Sequence, residues 1–202
     1  MIFNFHKLSK YDWQFILCAS ILIIVFIFTD LIQLFNKEIL YYFPKKISYE
    51  PYRVFTSILI HADFNHLVSN VFGLTITRYF LIRLGNKSKF FYLKFILIYT
   101  FLNFFIIWIF ERILLMFFNI IPNYISLGFS GVIYAFFGFL LLSSIYGKDY
   151  FLGTMISLRK SYSIQRMSTT ICLIGLIFSF LPGVSLLGHI SGFITGCIIF
   201  FI

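Results

Sequence analysis

Apolar runs of roughly 15–20 residues recur from one end of this chain to the other, and no window alternates polar and apolar residues like a barrel strand. In hydrocarbon no water is present to satisfy backbone N–H and C=O groups, so a run of that length survives only as a helix or inside a closed barrel. Without the alternation, helices remain. Composition agrees: 60% of the 202 residues are hydrophobic, 11% are charged, and mean hydropathy is +0.96. Soluble domains run at about 45–50% apolar and about 25% charged. A water-soluble globule, a disordered chain and a disulfide-stapled secreted module are therefore excluded. The chain reads as an all-α membrane protein with a single domain over residues 1–202.

Six spans are expected, near residues 13–35, 64–82, 90–110, 130–146, 169–181 and 189–202. The first has Lys7 and Lys10 ahead of it but no small-residue cleavage site, so it reads as a retained helix. The net charge of +9 suggests nucleic acid at first sight. Basic residues in short loops of a membrane protein instead set topology. With a cytoplasmic N-terminus, Lys7, Lys10, Arg83, Lys87, Lys89, Lys94, Lys148, Arg159, Lys160 and Arg166 fall inside or at the inner rim. Lys37, Lys45, Lys46, Arg53 and Arg112 fall outside, and Arg78 lies within the second span. The bias puts both termini inside and makes the lipid bilayer, not nucleic acid, the partner. Residues 36–63 form the longest connection, on the outer side; loops of that length are often functional. Cys18, Cys172 and Cys197 sit within apolar runs without CxxC spacing, which implies neither a disulfide nor a metal site.

Polar groups inside spans are expensive and become functional candidates by default. His66 and Asn70 open the second span, Ser130 the fourth and His189 the sixth. All three spans run from outside to inside, so by parity these residues share the outer side. His189 to Ile202 is about 20 Å at 1.5 Å per residue, short of the roughly 30 Å hydrocarbon core. His189 is thus expected below the outer surface, at the floor of a wet cavity. Arg78, about 18 Å beyond His66 at the same rise, is expected to snorkel to the inner interface.

A serine hydroxyl becomes a nucleophile when a neighbouring base takes its proton, and His is the usual base near neutral pH. Asp30 and Asp149 lie away from the site, leaving a Ser130–His189 dyad. Ser130 also begins a helix, whose free N–H groups and positive dipole end favour an oxyanion. His66 and Asn70 are spaced i, i+4 and share one helix face, so both can donate to that oxyanion. Gly128 and Gly131 flank the serine. Gly192 and Gly196 form a stripe below His189, matched by Gly131, Ala135 and Gly138 on the fourth span; small residues let two helices approach closely. The set points to acyl transfer. The phenylalanines, 30 in number, read as lipid-facing bulk, and Glu111 with Arg112 as a solvated pair at the outer rim.

Three segments resemble the rhomboid intramembrane serine proteases: HADFNHLVSN over residues 61–70 (HxxxxHxxxN), GFSG over 128–131 (GxSG), and HISGFITG over 189–196 (HxxGxxxG). Their order on the second, fourth and sixth of six spans makes the resemblance specific, and it covers roughly residues 10–202 in the manner of a minimal bacterial six-helix rhomboid-like bundle. It implies Ser130 as nucleophile, His189 as base, and His66, Asn70 and the Ser130 N–H as the oxyanion hole. Tyr134 matches a tyrosine that packs on the catalytic imidazole, and His61 a structural hydrogen-bonder. Arg53 matches the arginine of a Trp-Arg pair, with Tyr52 in the tryptophan's place. The fifth span and residues 182–188 match a movable gate and cap. No metal and no cofactor is implied, and the partners are transmembrane helices of membrane-protein substrates. The implied location is a bacterial inner membrane, with the active site toward the outer face. Two other readings fit the same motifs: a rhombosortase that processes C-terminal sorting anchors, and a catalytically inactive relative that binds helices. HExxH and GxGD are missing, which argues against zinc and aspartyl intramembrane proteases.

Overall fold

The structure, a computed structural model, describes residues 12–34, 36–86, 88–120, 123–180 and 184–202. Lys7, Lys10, Lys87, Phe35 and part of the segment 182–188 lie outside these. The chain forms α1 (Trp13–Phe26, prolonged by a π turn at Ile27–Leu31), a one-turn α2 (Arg53–Thr56), α3 (Phe64–Leu84), α4 (Phe91–Phe118) and α5 (Ser130–Tyr146). An antiparallel hairpin follows, β1 (Lys148–Phe151) and β2 (Thr154–Leu158), then α6 (Tyr162–Phe178) and α7 (Leu186–Phe200). Trp13–Leu31, Phe64–Leu84 and Phe91–Phe118 are long and apolar enough to cross a membrane, while Ser130–Tyr146 and Leu186–Phe200 are shorter apolar helices. The protein is a mostly helical membrane protein.

The helices depart from the apolar runs where polar residues sit inside them. Asp63 caps α3 by accepting from the His66 N–H at 2.8 Å, and Gly85 ends it at φ +94°. Ser185 caps α7 one turn before His189, accepting from the Gly188 N–H at 3.1 Å. His189 is therefore the fourth residue of its helix and not its first. Likewise α6 starts at Tyr162, behind a Ser161 cap. Its first turns carry Gln165 and Arg166, which hide them from a reading based on apolar runs. Helix α4 runs on through Glu111 and Arg112 to Phe118.

Those two residues are not a solvated pair. Glu111 is buried and accepts from the Tyr42 hydroxyl at 3.1 Å and the Tyr124 hydroxyl at 2.7 Å, whereas Arg112 lies over the Trp108 ring. Arg78 does not snorkel. It is buried, and its guanidinium makes a two-pronged pair with Asp12 at 2.7 and 2.9 Å; a buried charge without such a partner costs several kcal/mol.

Helix α5 is the axis of the bundle, packed against α3, α6 and above all α7. Phe80, Phe91, Phe95, Phe136, Phe139 and Phe151 are completely or almost completely buried, so a good part of the phenylalanine is core and not lipid-facing bulk. Phe95 and Phe136 stack at 4.1 Å, and Phe151 of the hairpin packs on Phe91 and Phe139. The hairpin thereby closes the end of the bundle opposite Ser130. The Arg159 N–H donates to the Leu84 carbonyl at 2.8 Å and reinforces that closure.

At the serine end, the 36–63 connection braces the segment that leads into α5. Tyr42 and Ser126 exchange backbone hydrogen bonds at 3.0 and 3.1 Å, and the Gly128 N–H donates to the Ser57 carbonyl at 2.9 Å. Arg53, 2% exposed, ties this connection together: it pairs with Glu50 and donates to the Glu38 and Tyr41 carbonyls, both at 2.8 Å, while its head lies by the Tyr52 ring. Arg53 is thus a scaffold of the loop.

Candidate active site

Two helices meet at the site because small residues let them. A Cβ at Gly192 would overlap the Gly131 carbonyl and one at Gly196 the Ala135 carbonyl, so the backbones of α5 and α7 are in contact along this seam. The seam sets Ser130, the first residue of α5, against His189. The Ser130 Oγ lies 2.9 Å from His189 Nε2. The Tyr134 ring, one turn along α5 from the serine, stacks on the His189 imidazole with centroids 4.2 Å apart and planes 13° from parallel.

Among the described residues, no side-chain hydrogen bond caps the start of α5 at Phe129. The first N–H groups of a helix have no intrahelical partner, so the serine sits where backbone donors and the helix dipole offer themselves to an anion. Gly128 makes room beside it: φ is +107°, a conformation that side chains disfavour, and a Cβ there would stand 2.6 Å from the His66 ring and 3.4 Å from Asn70 Nδ2. His66 and Asn70 of α3 thus converge on the approach to Ser130. The Ala62 N–H donates to His66 Nδ1 at 3.4 Å, which leaves the hydrogen of the neutral ring on Nε2. Asn70 is buried, and among the described residues its Nδ2 has no hydrogen-bond partner.

Behind His66 lies His61, fully buried. The two rings meet edge-on at 5.2 Å, with the Leu59 backbone alongside. Burial and the neighbouring imidazole push His61 down to about 4, so it is neutral at physiological pH and braces His66 by packing.

Ser130, His189, His66 and Asn70 all line one cavity of about 710 Å³, walled by α3 on one side and by Gly175 and Phe178 of α6 on the other. Arg53 does not line it and belongs to the loop scaffold. One residue was missed. Ser179, just past the end of α6, has its Oγ 2.5 Å from His189 Nδ1. Its sole signal in the sequence is a lone hydroxyl between Phe178 and Phe180, and no spacing connects it to His189.

No curated protein matches the chain. A family model does: the Rhomboid domain matches residues 48–202, which include Ser130, His189, His66 and Asn70. By that match over most of its length, the chain belongs to the rhomboid family.

Proposed function

We propose that the chain is a serine endopeptidase that cleaves the transmembrane segments of single-pass membrane proteins. It does so near the outer face of a bacterial inner membrane. The observation that carries this reading is the 2.9 Å approach of Ser130 Oγ to His189 Nε2, at the start of a helix that no described side chain caps. His189 takes the hydroxyl proton as Oγ attacks the scissile carbonyl carbon. The Ser130 N–H, His66 Nε2–H and Asn70 Nδ2 hold the resulting oxyanion, and Tyr134 keeps the imidazole in its plane. The imidazolium then gives its proton to the leaving amine, and water hydrolyses the seryl ester. Six crossings with both termini inside belong to the same proposal, supported by the excess of basic residues in the loops on that side. An intact helix hides its carbonyls from a nucleophile, so the substrate must unwind locally. A segment with helix-destabilising residues, cut beside a small residue, suits the cavity between α3 and α6.

The test is a fluorophosphonate probe on the folded, detergent-solubilised protein, with the adduct mapped by mass spectrometry. An adduct at Ser130 that vanishes in His189→Ala is the expected result, and a folded sample that takes no label overturns the reading. The same assay weighs Asn70. Removing one oxyanion donor costs on the order of 10²–10³ in rate, and Asn70→Ala is expected to slow labelling about 100-fold. Unchanged labelling would take Asn70 out of the oxyanion hole.

A further inference from the structure

Ser179 is 2% exposed and ends α6. Its Oγ has three neighbours within its hydrogen-bonding reach: the Gly175 carbonyl at 2.7 Å, His189 Nδ1 at 2.5 Å and the Tyr134 hydroxyl. A hydroxyl carries one proton, and a carbonyl can only accept. With that proton given to Gly175, the second contact is a hydrogen bond only if Nδ1 bears the hydrogen and donates into a Ser179 lone pair. A neutral imidazole protonated at Nδ1 has a bare Nε2, and it is Nε2 that faces Ser130 Oγ. The opposite tautomer would point Nε2–H at the serine and leave the serine proton without an acceptor.

We propose that Ser179 is the positioning residue of this site: its oxygen accepts the His189 Nδ1–H and so holds the imidazole in the tautomer whose Nε2 takes the Ser130 proton. The inference rests on the reading under Proposed function and adds a third member to its pair. During attack the Ser130 O–H bond breaks, the proton passes to Nε2 and the Oγ–C bond forms. The imidazolium then donates from both nitrogens, with Nδ1 still on Ser179, until Nε2 releases its proton to the leaving amine. Ser179 neither gains nor loses a proton at any step. A neutral oxygen in this role avoids burying a carboxylate, whose desolvation in an apolar setting is costly.

The arrangement also ties the base to the wall of the cavity. Tyr134, stacked on the imidazole, interacts with Ser179 through its hydroxyl, and a Cβ at Gly175 would overlap that same hydroxyl. The ring of His189 is therefore held on its face by α5 and at Nδ1 by α6. Helix α6 lines the cavity through Gly175 and Phe178, so a helix that walls the cavity is also the one that sets the tautomer. A serine that merely back-bonds to the carbonyl four residues earlier, as serines in apolar helices do, has no such consequence.

The experiment uses the full chain in detergent micelles, with ¹⁵N-labelled histidine, and reads the ring nitrogens by NMR alongside the rate of fluorophosphonate labelling. In the unaltered protein His189 is expected to show a protonated Nδ1 and a bare Nε2. Ser179→Ala is expected to admit the opposite tautomer and to slow labelling about 30-fold, an imidazole without its orienting partner being a weaker base catalyst. Ser179→Thr, which keeps the oxygen, should restore both to within about threefold by the same reasoning. An Nε2-protonated His189 in the unaltered protein overturns the proposal with no variant needed. So does a folded Ser179→Ala with unchanged tautomer and labelling rate. If the unaltered protein takes no label yet shows the Nδ1-protonated ring, the enzymatic reading fails while the hold of Ser179 on the imidazole stands.

Discussion

Ser130→Ala and His189→Ala are each expected to lower the cleavage of a reconstituted transmembrane substrate by at least about 10⁴-fold, and the double variant is expected to lose no more than either alone. The reason lies in the geometry. The 2.9 Å contact joins one hydroxyl to one imidazole, and the chemistry needs both: the nucleophile without its base stays a neutral alcohol, and the base without its nucleophile has no proton to take. Groups that act as one unit show such non-additivity. The residual rate comes from the cavity and the donors around Ser130, which bind and polarise a carbonyl unaided. Stability should barely move in Ser130→Ala, since Ser130 is only partly buried, whereas His189→Ala removes a buried ring stacked on Tyr134 and is expected to cost about 1–2 kcal/mol. The measurement is cleavage of a reporter segment in liposomes, with thermal unfolding of each variant as the control. A folded Ser130→Ala that cuts within tenfold of the unaltered rate would remove the serine from the mechanism.

How much of this could be read from the chain depends on the kind of residue that carries each feature. Helix α5 is apolar throughout, buried nearly all round, and begins at a glycine-flanked serine, so hydropathy and motif agree on it. Helix α6 is not: Gln165 and Arg166 stand in its first turns, where a span can end in water, and the apolar run alone places its start several residues late. Glu111 deceives in the other direction. Its charge marks a helix end in the sequence, yet Tyr42, 69 residues earlier, and Tyr124, 13 residues later, satisfy it inside the fold. The phenylalanines show the same limit, because nothing in composition separates Phe95, wholly buried, from Phe105, 57% exposed. In the site, i, i+4 spacing sets His66 and Asn70 on one helix face, and the alternating direction of the spans sets Ser130 and His189 at the same side. Ser179 lies on a different helix from His189. Its contact exists only once α6 and α7 are docked, and no periodicity reports that.

Gly196→Ala is expected to destabilise the protein by about 3 kcal/mol, at the upper end of the usual cost of overpacking, and to cut activity at least 100-fold in the fraction that stays folded. A single methyl group carries this much weight because of what it meets. The added Cβ would overlap the Ala135 carbonyl, main chain in the middle of α5 that has no rotamer through which to yield, so the helices themselves must part. Parting them opens the seam that sets Ser130 against His189, and a displacement of about 1 Å is enough to cost a factor of 10² in a positioned reaction. Gly192→Ala, against the Gly131 carbonyl next to the serine, is expected to harm activity at least as much. Gly153→Asn is the control. That glycine sits in the hairpin turn at φ +69°, with nothing within 4 Å of a Cβ, and Asn tolerates such a φ, so stability should stay within about 0.5 kcal/mol. Thermal unfolding and single-turnover cleavage, measured on the same detergent samples, read both effects. If Gly196→Ala keeps full stability and full rate, the close approach of α5 and α7 is not what aligns the serine with the histidine. If it loses rate while keeping stability, the seam tunes alignment without holding the bundle together.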